Sequence, residues 1–359
     1  MSGEHVSRDD LEVIIPNLKK RYSGGTAVNR TIGPLIARRC HAAWFGPDRP
    51  DGIRGLSFGD LLRLRFIRPK SRPAYIWHAR RNSEMLLGLV LRGLGWPLKL
   101  IFNSAGQRKK TRYTNFLIKR MDAIIATSEI SASFVERPST VVHHGIDVET
   151  YAPPPDREAA FAATGLPGKY GIGTFGRVRK QKGVDLFVDA MCRLLPRYPE
   201  FTAVVVGFVS VDNRLFVEGL KRQIAAAGLE DRIRFLGELP IEEVPKWYQR
   251  VSIYVFASRV EGFGLTMLEA MAAGDAVVAT RAGAAEMIFS DGETGMLAPV
   301  GSVDGLVEAI EPLMREPERI PAMGRRARAR VLKDFSRDRE VDEIVEVYRR
   351  LWNGGEATL

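Results

Sequence analysis

Two glutamates flank the start of one predicted helix, and they are the residues best suited to bind a sugar. Glu261 follows a buried strand, and Glu269 lies eight residues later in a helix that begins near Leu265. Gly262 and Gly264 lie between them and would expose backbone amides at the helix start, where anions are favoured. The carboxylates can accept sugar hydroxyls while the amides bind a phosphate. A solvated glutamate and an ordinary N-terminal helix charge would explain neither the glycines nor the carboxylate pair.

A basic loop over residues 176–183 follows another predicted strand. Arg177 and Lys182 are spaced cations between its two terminal glycines. The guanidinium fork of Arg177 suits bidentate phosphate contacts, and Lys182 supplies a compact charge, so this loop is suited to a diphosphate. A solvated basic loop without a ligand accounts for the same charges equally well.

Gly24 and Gly25 lie between the first predicted strand and the first predicted helix, in the segment 23–26. Paired glycines at this place either let backbone amides approach an anion or simply make a tight turn. The spacing differs from the dinucleotide-binding fingerprint, and no acidic residue ends a plausible second strand.

Histidines in the first half were considered as ligands for a substrate or a metal. His78 lies between a strand and a helix, with Arg80 and Arg81 in the same turn, so it either contacts substrate or caps the strand end. His143 and His144 have no third ligand nearby, which favours a structural role over a metal site. Because no Asp-x-Asp motif follows an apolar strand, we expect no catalytic divalent metal.

The elements that must position these residues form two α/β halves. Short apolar runs alternate with amphipathic helices, which indicates parallel sheets covered on both faces. A proline run at 153–155 marks the boundary, and a long amphipathic helix is predicted from residue 336 to 352. Strands are predicted at 11–16, 75–77, 98–102, 123–126, 170–175, 202–206, 232–235, 253–256 and 276–279.

Composition limits the possible classes. The chain has 359 residues, enough for two domains, and only two cysteines, which excludes a disulfide framework and favours a reducing compartment. Neither a secretory signal nor a membrane span is indicated. The net charge is +10, yet residues 1–150 hold 25 Lys and Arg against 13 Asp and Glu, whereas the remainder holds 28 against 30. The first half is therefore expected to meet something anionic.

The segment SRVEGFGLTMLEAMAAG resembles the E-x7-E signature of family-four retaining glycosyltransferases. The motifs SGGT, MDAIIATSE, VVHHGIDVETYAP, GTFGRVRKQKGVDLFVDAM and AGAAEMIFSDGETGMLAP extend the resemblance over nearly the whole chain. It implies the GT-B fold: two Rossmann-like α/β domains with a cleft between them, and a C-terminal helix crossing back to the first domain. The expected parts are an acceptor-side domain at 1–152, a donor-binding domain at 165–335 and the helix at 336–359.

The same resemblance implies roles for the residues singled out above. Arg177 and Lys182 would hold the diphosphate of a nucleotide sugar, Glu261 would bind hydroxyls of the transferred sugar, and Glu269 would bind the ribose. Arg177, Lys182 and Glu261 are the expected catalytic residues. The remaining donor contacts implied are the amides of Phe263, Gly264 and Leu265, and the glycines Gly24 and Gly25, which would close over the phosphates from the other domain.

One position departs from the family pattern. Many members carry a histidine after the strand that here reads KLIF, whereas this chain has Asn103 and Ser104. The part that this histidine plays toward the sugar must fall to Asn103, Ser104 or His78.

Within the family, HARRNSEM and SAGQRKKTRYTNFLI resemble the bacterial lipopolysaccharide core mannosyltransferases. This implies mannose transfer from GDP-mannose to the Kdo region of the core, on the cytoplasmic side of the membrane. An anionic glycolipid acceptor agrees with the basic first half, where Arg80, Arg81 and Lys109 are further candidates. The stretch 61–68 is either a contact with an anionic membrane or a packed helix with basic edges.

Three other functions are alternatives to mannose transfer onto a lipopolysaccharide core. A UDP-sugar donor with another lipid-linked or polysaccharide acceptor is compatible with the same motifs. A nucleic-acid-binding protein is disfavoured because the basic clusters lack a helix-turn-helix, zinc-finger or RNP framework. A non-catalytic carbohydrate-binding relative is disfavoured by the presence of Arg177, Lys182, Glu261 and Glu269.

Overall fold

The computed structural model describes residues 10–19 and 24–354, and it divides into two compact units. The first unit comprises the described residues up to His144 together with those from Arg337 onward, and the second unit runs from Gly145 to Ser336. The division thus precedes the boundary expected at residue 152. The proline run belongs to the second unit and leads into a short helix.

Each unit contains one sheet, and the strand pairings of the described residues within these sheets are parallel. The first sheet has the order β3-β2-β1-β4-β5-β6-β7, and the second has the order β10-β9-β8-β11-β12-β13. The strands are β1 (Val13–Pro16), β2 (Ala42–Phe45), β3 (Arg54–Leu56), β4 (Tyr75–Ala79), β5 (Leu98–Ser104), β6 (Ala123–Ala126), β7 (Thr140–Val141), β8 (Tyr170–Phe175), β9 (Phe201–Val206), β10 (Ile233–Gly237), β11 (Val251–Phe256), β12 (Ala276–Thr280) and β13 (Met296–Ala298).

Helices connect these strands and cover both sheets. They are α1 (Gly24–Arg39), α2 (Phe58–Arg63), α3 (Asn82–Gly93), α4 (Arg112–Ile118), α5 (Glu129–Ser133), α6 (Arg157–Ala162), α7 (Val184–Leu194), α8 (Arg214–Ala226), α9 (Val244–Arg250), α10 (Leu265–Ala272), α11 (Ala285–Ile288), α12 (Val303–Arg315), α13 (Ile320–Asp334) and α14 (Arg337–Trp352). Within the described residues, none of the helices has the length and apolar character needed to span a bilayer.

The predicted pair of parallel α/β domains is confirmed, and all nine predicted strands are present. The strands not predicted, β2, β3, β7 and β13, have only two to four residues each, so they carry little periodic signal. The stretch 61–68 is helical only as far as Arg63; residues 64–66 form a turn, and residues 67 and 68 are irregular.

The order of each sheet reverses direction between two neighbouring strands. In the first sheet this switch point lies between β1 and β4, and in the second it lies between β8 and β11. Ligands of such open parallel sheets bind outside the carboxyl ends of the strands at the switch point. The loops that follow β8 and β11 are the two that carry the predicted donor-binding residues.

The C-terminal helix α14 packs within the first unit, against α1. The apolar residues that predicted this helix, including Val341, Ile344 and Tyr348, are buried. On its outer side Asp338 and Asp342 form ion pairs with Arg39 of α1. An apolar stripe, rather than these partly exposed ion pairs, supplies most of the stabilisation.

Candidate active site

Two loops of the second unit meet at its switch point. The basic loop, residues 176–183, follows β8, and the glutamate loop, residues 257–264, follows β11. Since β8 and β11 are paired neighbours, their carboxyl ends bring the two loops together. Residues almost 80 positions apart in the sequence therefore share one site.

Arg259 joins the two loops. Its guanidinium makes two parallel hydrogen bonds to the carboxylate of Asp185, at 2.7 and 2.8 Å, and its backbone N–H donates to the carbonyl of Gln181 at 2.8 Å. The hydrogen bonds that Arg259 donates to Asp185 raise the pKa of Arg259. Bidentate pairs of this kind hold geometry tightly. Sequence reasoning missed this pair, because nothing local signals a partner 74 residues away.

Lys182 and Glu261 form a direct ion pair across the two loops. The ammonium of Lys182 contacts Oε2 of Glu261, and Oε1 of the same carboxylate accepts the N–H of Gly262 at 3.0 Å. Both side chains are about a quarter to a fifth exposed, at 24% and 21%. An incoming diphosphate would compete for Lys182 and leave the Glu261 carboxylate available for sugar hydroxyls.

A pocket opens beside this ion pair. Arg177 and Lys182 line it from the basic loop, and Ser258 and Thr266 line it from the opposite side. Arg177 is exposed, so its guanidinium is accessible to an anion. The cavity is small, about 10 Å³, and it brings two cations close to hydroxyl groups, the kinds of group that bind a phosphate.

Glycine is required at two positions of these loops. Gly183 has a φ of +69°, and a Cβ there would lie 1.8 Å from the carbonyl oxygen of Ala257. Gly264, with a φ of +101°, directly precedes α10, and a Cβ there would lie 2.4 Å from Cε of Met267. A larger residue at position 183 would therefore push the loops apart, and one at position 264 would strain the backbone at the start of α10, because its positive φ favours glycine.

Glu269 lies on α10 and is held by a tyrosine that sequence reasoning did not identify. The hydroxyl of Tyr248 on α9 donates to Oε2 of Glu269 at 2.6 Å. Burial raises the pKa of Glu269, opposed by hydrogen bonds from Tyr248 and Tyr151 and by the charge of Lys182. Burial also raises the pKa of Tyr248 well above its ordinary value, so the phenol stays protonated and orients the carboxylate.

The first-unit candidates have several different environments. His78 is buried, with Nδ1 2.6 Å from the hydroxyl of Tyr348. The guanidinium of Arg81 binds the Glu84 carboxylate at 2.9 Å and the Asn17 side-chain oxygen at 2.8 Å. Arg81 is therefore engaged in holding its own turn, in contrast to the equal roles expected for Arg80 and Arg81.

The other first-unit candidates lie along neighbouring segments. Asn103 and Ser104 are buried at the carboxyl end of β5, whereas Lys109 is exposed. Helix α1 begins at Gly24, so Gly24 and Gly25 form its first turn rather than a loop before it. Residues 20–23, including the rest of the predicted glycine loop, lie outside the described residues.

His143 and His144 each lie beside a glutamate carboxylate. His143 lies 3.2 Å from Glu129, and Nδ1 of buried His144 lies 2.9 Å from Oε1 of Glu340. In the described part of the chain, no group of three or more His, Cys, Asp or Glu side chains is placed to hold a metal ion. Metal-independent catalysis stays a prediction for experiment.

Comparison with known proteins agrees with this geometry. The family model described as "Glycosyl transferases group 1" matches residues 156–330, which contain both loops. The "Lipopolysaccharide core biosynthesis mannosyltransferase LpcC" of Rhizobium leguminosarum bv. viciae is 47% identical over 95% of this chain and 97% of its own length. The corresponding enzyme LpsB of Rhizobium meliloti (strain 1021) is 42% identical over 95% and 98%.

A solved structure extends the agreement to the fold of both units. Anabaena Alr3699/HepE in complex with UDP covers 94% of this chain and 100% of its own, with a TM-score of 0.80 and 19% identity. At this identity the likeness shows the fold alone, which is the expected GT-B architecture. With two relatives matched over nearly their full length, the chain belongs to the group 1 glycosyl transferases and is a glycosyltransferase similar to those two mannosyltransferases.

Proposed function

We propose that this protein transfers mannose from GDP-mannose to the Kdo region of a lipopolysaccharide core, with retention of anomeric configuration. The observation that carries the proposal is the contact between Lys182 and Glu261 beside Glu269, which places cations for a diphosphate next to carboxylates for hydroxyls. The mannosyl and lipopolysaccharide parts are supported by the two relatives named above.

In this mechanism the leaving nucleoside diphosphate is stabilised by Arg177, Lys182 and the amides at the start of α10. Preorganised donors of this kind are typically worth about 3–4 kcal/mol each in catalysis. The ion pair between Lys182 and Glu261 breaks, and Lys182 binds the diphosphate instead. Glu261 then binds hydroxyls of the sugar. Glu269, oriented by Tyr248, binds the ribose.

Retention is implied by the resemblance to the family-four retaining enzymes, and the assignment of the two carboxylates selects between the possible retaining mechanisms. A double displacement needs one carboxylate as nucleophile and another as acid and base at the same anomeric carbon. Because Glu269 is assigned to the ribose, that pair is incomplete. We therefore favour attack by the acceptor on the same face from which the diphosphate departs, with the leaving phosphate oxygen taking the acceptor proton.

The acceptor is proposed to be presented at an anionic membrane. The first unit exposes apolar side chains on α2 and the segment that follows it, on α3 and the residue after its end, and on α4. These are Phe58, Leu62, Phe66, Ile67, Leu86, Val90, Leu94, Tyr113 and Phe116. Exposed cations accompany them at Arg63, Arg65, Arg68, Arg112, Lys119 and Arg120. We call these residues together the apolar–basic face.

Contacts join the parts of this face. The guanidinium of Arg65 lies 5.5 Å from the ring of Trp96, whose indole N–H donates to the carbonyl of Leu61 at 2.8 Å. On the other side, Asn82 of α3 donates to Thr114 of α4 at 2.9 Å. Apolar side chains that insert beside cations that attract lipid phosphates are the features of a peripheral membrane surface. In the stretch 61–68, Leu61 and Leu64 are buried, whereas residues 62, 63 and 65–68 are exposed. The two buried leucines therefore pack inside the unit, and the exposed residues are the ones proposed to contact the membrane.

A panel of donors tests the proposed reaction. Purified enzyme would be offered GDP-mannose, UDP-glucose or UDP-N-acetylglucosamine with Kdo–lipid A, with and without excess EDTA. We expect transfer from GDP-mannose alone, unaffected by EDTA, and an α-linked product by NMR. Transfer only from a UDP-sugar would replace the donor assignment. Activity lost in EDTA and restored by manganese or magnesium would contradict the stabilisation of the leaving group by Arg177 and Lys182.

A further inference from the structure

Several polar side chains at the carboxyl ends of β4 and β5 have buried atoms without hydrogen-bond partners among the described residues. These atoms are Nε2 of His78, Nη2 of Arg80, Oδ1 of Asn103 and Oγ of Ser104. His78, Asn103 and Ser104 are only 2%, 4% and 1% exposed. Buried polar groups are normally satisfied, so an unsatisfied group of this kind points to a ligand or bound water.

Two of these side chains, those of His78 and Asn103, share one face of the sheet. His78 is paired with Ile101 in the register of β4 and β5, so Asn103, two residues further, projects from the same face as His78. Arg80 follows His78 by two residues just beyond the strand end. The site also adjoins the switch point between β1 and β4, where open parallel sheets bind their ligands.

Tyr348 of α14 supports His78 and lies near Arg80. Burial and the charge of Arg80 lower the pKa of His78 well below its ordinary value, so the imidazole is neutral. Burial raises the pKa of Tyr348 well above its ordinary value, so the phenol is protonated. When the phenol donates to Nδ1 of His78, Nε2 carries the remaining hydrogen and is a donor for a ligand.

The two neighbouring arginines have different surroundings. The Glu84 carboxylate accepts a hydrogen bond from the guanidinium of Arg81 at 2.9 Å. It also accepts hydrogen bonds from the backbone N–H groups of Arg80 and Arg81, at 2.9 and 3.1 Å. That carboxylate therefore fixes the turn and neutralises Arg81. The guanidinium of Arg80 lies within electrostatic range of Glu340, but the Glu340 carboxylate is bonded to His144. Arg80 is thus a partly buried cation whose enclosed Nη2 has no hydrogen-bond partner among the described residues.

We propose that Arg80, His78 and Asn103 bind an anionic oxygen group of the acceptor, a carboxylate or a phosphate, while Arg81 only positions the turn. The proposal rests on the proposed function for the identity of the acceptor. A guanidinium with a neutral imidazole donor suits an anion, and the Asn103 amide, which both donates and accepts, suits an adjacent hydroxyl.

The test compares Arg80→Gln, Arg81→Gln and, as a matched control, Arg38→Gln on the exposed end of α1. Kinetics with GDP-mannose and Kdo–lipid A would be combined with thermal unfolding of each variant. We expect Arg80→Gln to raise the acceptor KM by about 10- to 100-fold with little change in donor KM, and to leave Tm equal or higher. Arg81→Gln should lower Tm because buried Glu84 loses its cationic partner, and Arg38→Gln should change neither property. An acceptor KM within twofold of wild type for Arg80→Gln would overturn the proposal.

Two further arms identify the anion. If the carboxylate binds here, methyl esterification of Kdo raises the acceptor KM and removal of the lipid A phosphates does not. If a phosphate binds here, the two modifications have the opposite effects. Insensitivity to both modifications would overturn the anion subsite.

Direct binding separates this proposal from the proposed function. Free Kdo and glucosamine phosphate would be titrated into wild type and Arg80→Gln, followed by NMR. If wild type transfers no sugar from GDP-mannose, the proposed function fails, but binding of either anion that Arg80→Gln abolishes still supports the subsite. Equal binding by both proteins, or binding by neither, would overturn it.

Discussion

The two signature glutamates differ in chemical environment although they lie on one short segment. Glu261 is ion-paired with Lys182 and partly exposed, so a ligand can take over either partner. Glu269 is oriented by the protonated Tyr248, and burial raises its pKa. This difference in environment is the physical basis for assigning the transferred sugar to Glu261 and the ribose to Glu269.

Removal of the loop cations tests the diphosphate assignment. Arg177→Ala and Lys182→Ala should each weaken GDP binding by about 1.5–3 kcal/mol, the usual range for a charged hydrogen bond. Lys180→Ala is a matched control, because Lys180 is exposed in the same loop and does not line the pocket. Calorimetric titration measures the three affinities. Wild-type affinity in both Arg177→Ala and Lys182→Ala would exclude this role for the loop.

One arginine organises the elements behind the site. The guanidinium of Arg157 on α6 binds the backbone carbonyls of Tyr248, Val251 and Ala273 and the carboxylate of Asp275. These residues belong to the end of α9, the start of β11 and the segment between α10 and β12. Arg157 therefore helps to position α9, which carries the tyrosine that orients Glu269.

Replacement of Arg157 by methionine should strongly destabilise the second unit. Asp275 is fully buried, and burial raises its pKa to about 8 despite Arg157. An unpaired buried charge typically costs about 3–5 kcal/mol, and this cost applies to Asp275 at the higher pH values where its carboxyl ionises. Between about pH 4 and 8, Asp275 is protonated in the folded state and ionised in the unfolded state, so the free energy of unfolding falls as pH rises through this window. Arg157 lowers the pKa of Asp275, so its loss extends this fall to higher pH.

Urea denaturation at pH 6 and pH 9 checks this expectation. Arg157→Met should lose more stability at pH 9 than at pH 6. Arg325→Met, which removes an exposed arginine of α13, should lose little at either pH. An equal loss for Arg157→Met at both values would show that Asp275 does not titrate as described.

Across the whole molecule, charge and exposed apolar area are unevenly distributed. The first 150 residues hold 25 basic and 13 acidic side chains, and the apolar–basic face lies on α2, α3 and α4 of the first unit. The rest of the chain has nearly balanced charge. An anionic bilayer would be met by the first unit, which also carries the proposed acceptor subsite.

Liposome co-sedimentation of the full chain tests the membrane contact. Binding should require anionic lipid and weaken with salt, since the Debye length falls from about 8 Å at 0.15 M to about 3 Å at 1 M. Phe66→Ser removes a side chain that is 83% exposed on the apolar–basic face, and it should reduce binding several-fold. Leu215→Ser is the control, because Leu215 is 80% exposed on the second unit. Equal binding to neutral vesicles would contradict a basic docking face.

The sequence by itself determined the alternation of strands and helices, the uneven charge and the local motifs. Apolar periodicity is a local property, so it predicted the strands that carry the site and the buried stripe of α14. The spacing of Glu261 and Glu269 around two glycines indicated a sugar-binding helix start for the same reason, because both residues belong to one loop and helix.

Only the tertiary structure decided which distant residues meet. Lys182 reaches Glu261, Tyr248 reaches Glu269, and Tyr348 reaches His78 because strand order and helix packing bring separate segments together. The structure likewise distinguished Arg80 from Arg81, adjacent residues that look equivalent in the sequence. Their difference depends on where Asn17 and Glu84 lie in the folded first unit, and neither hydrophobic pattern nor charge count contains that information.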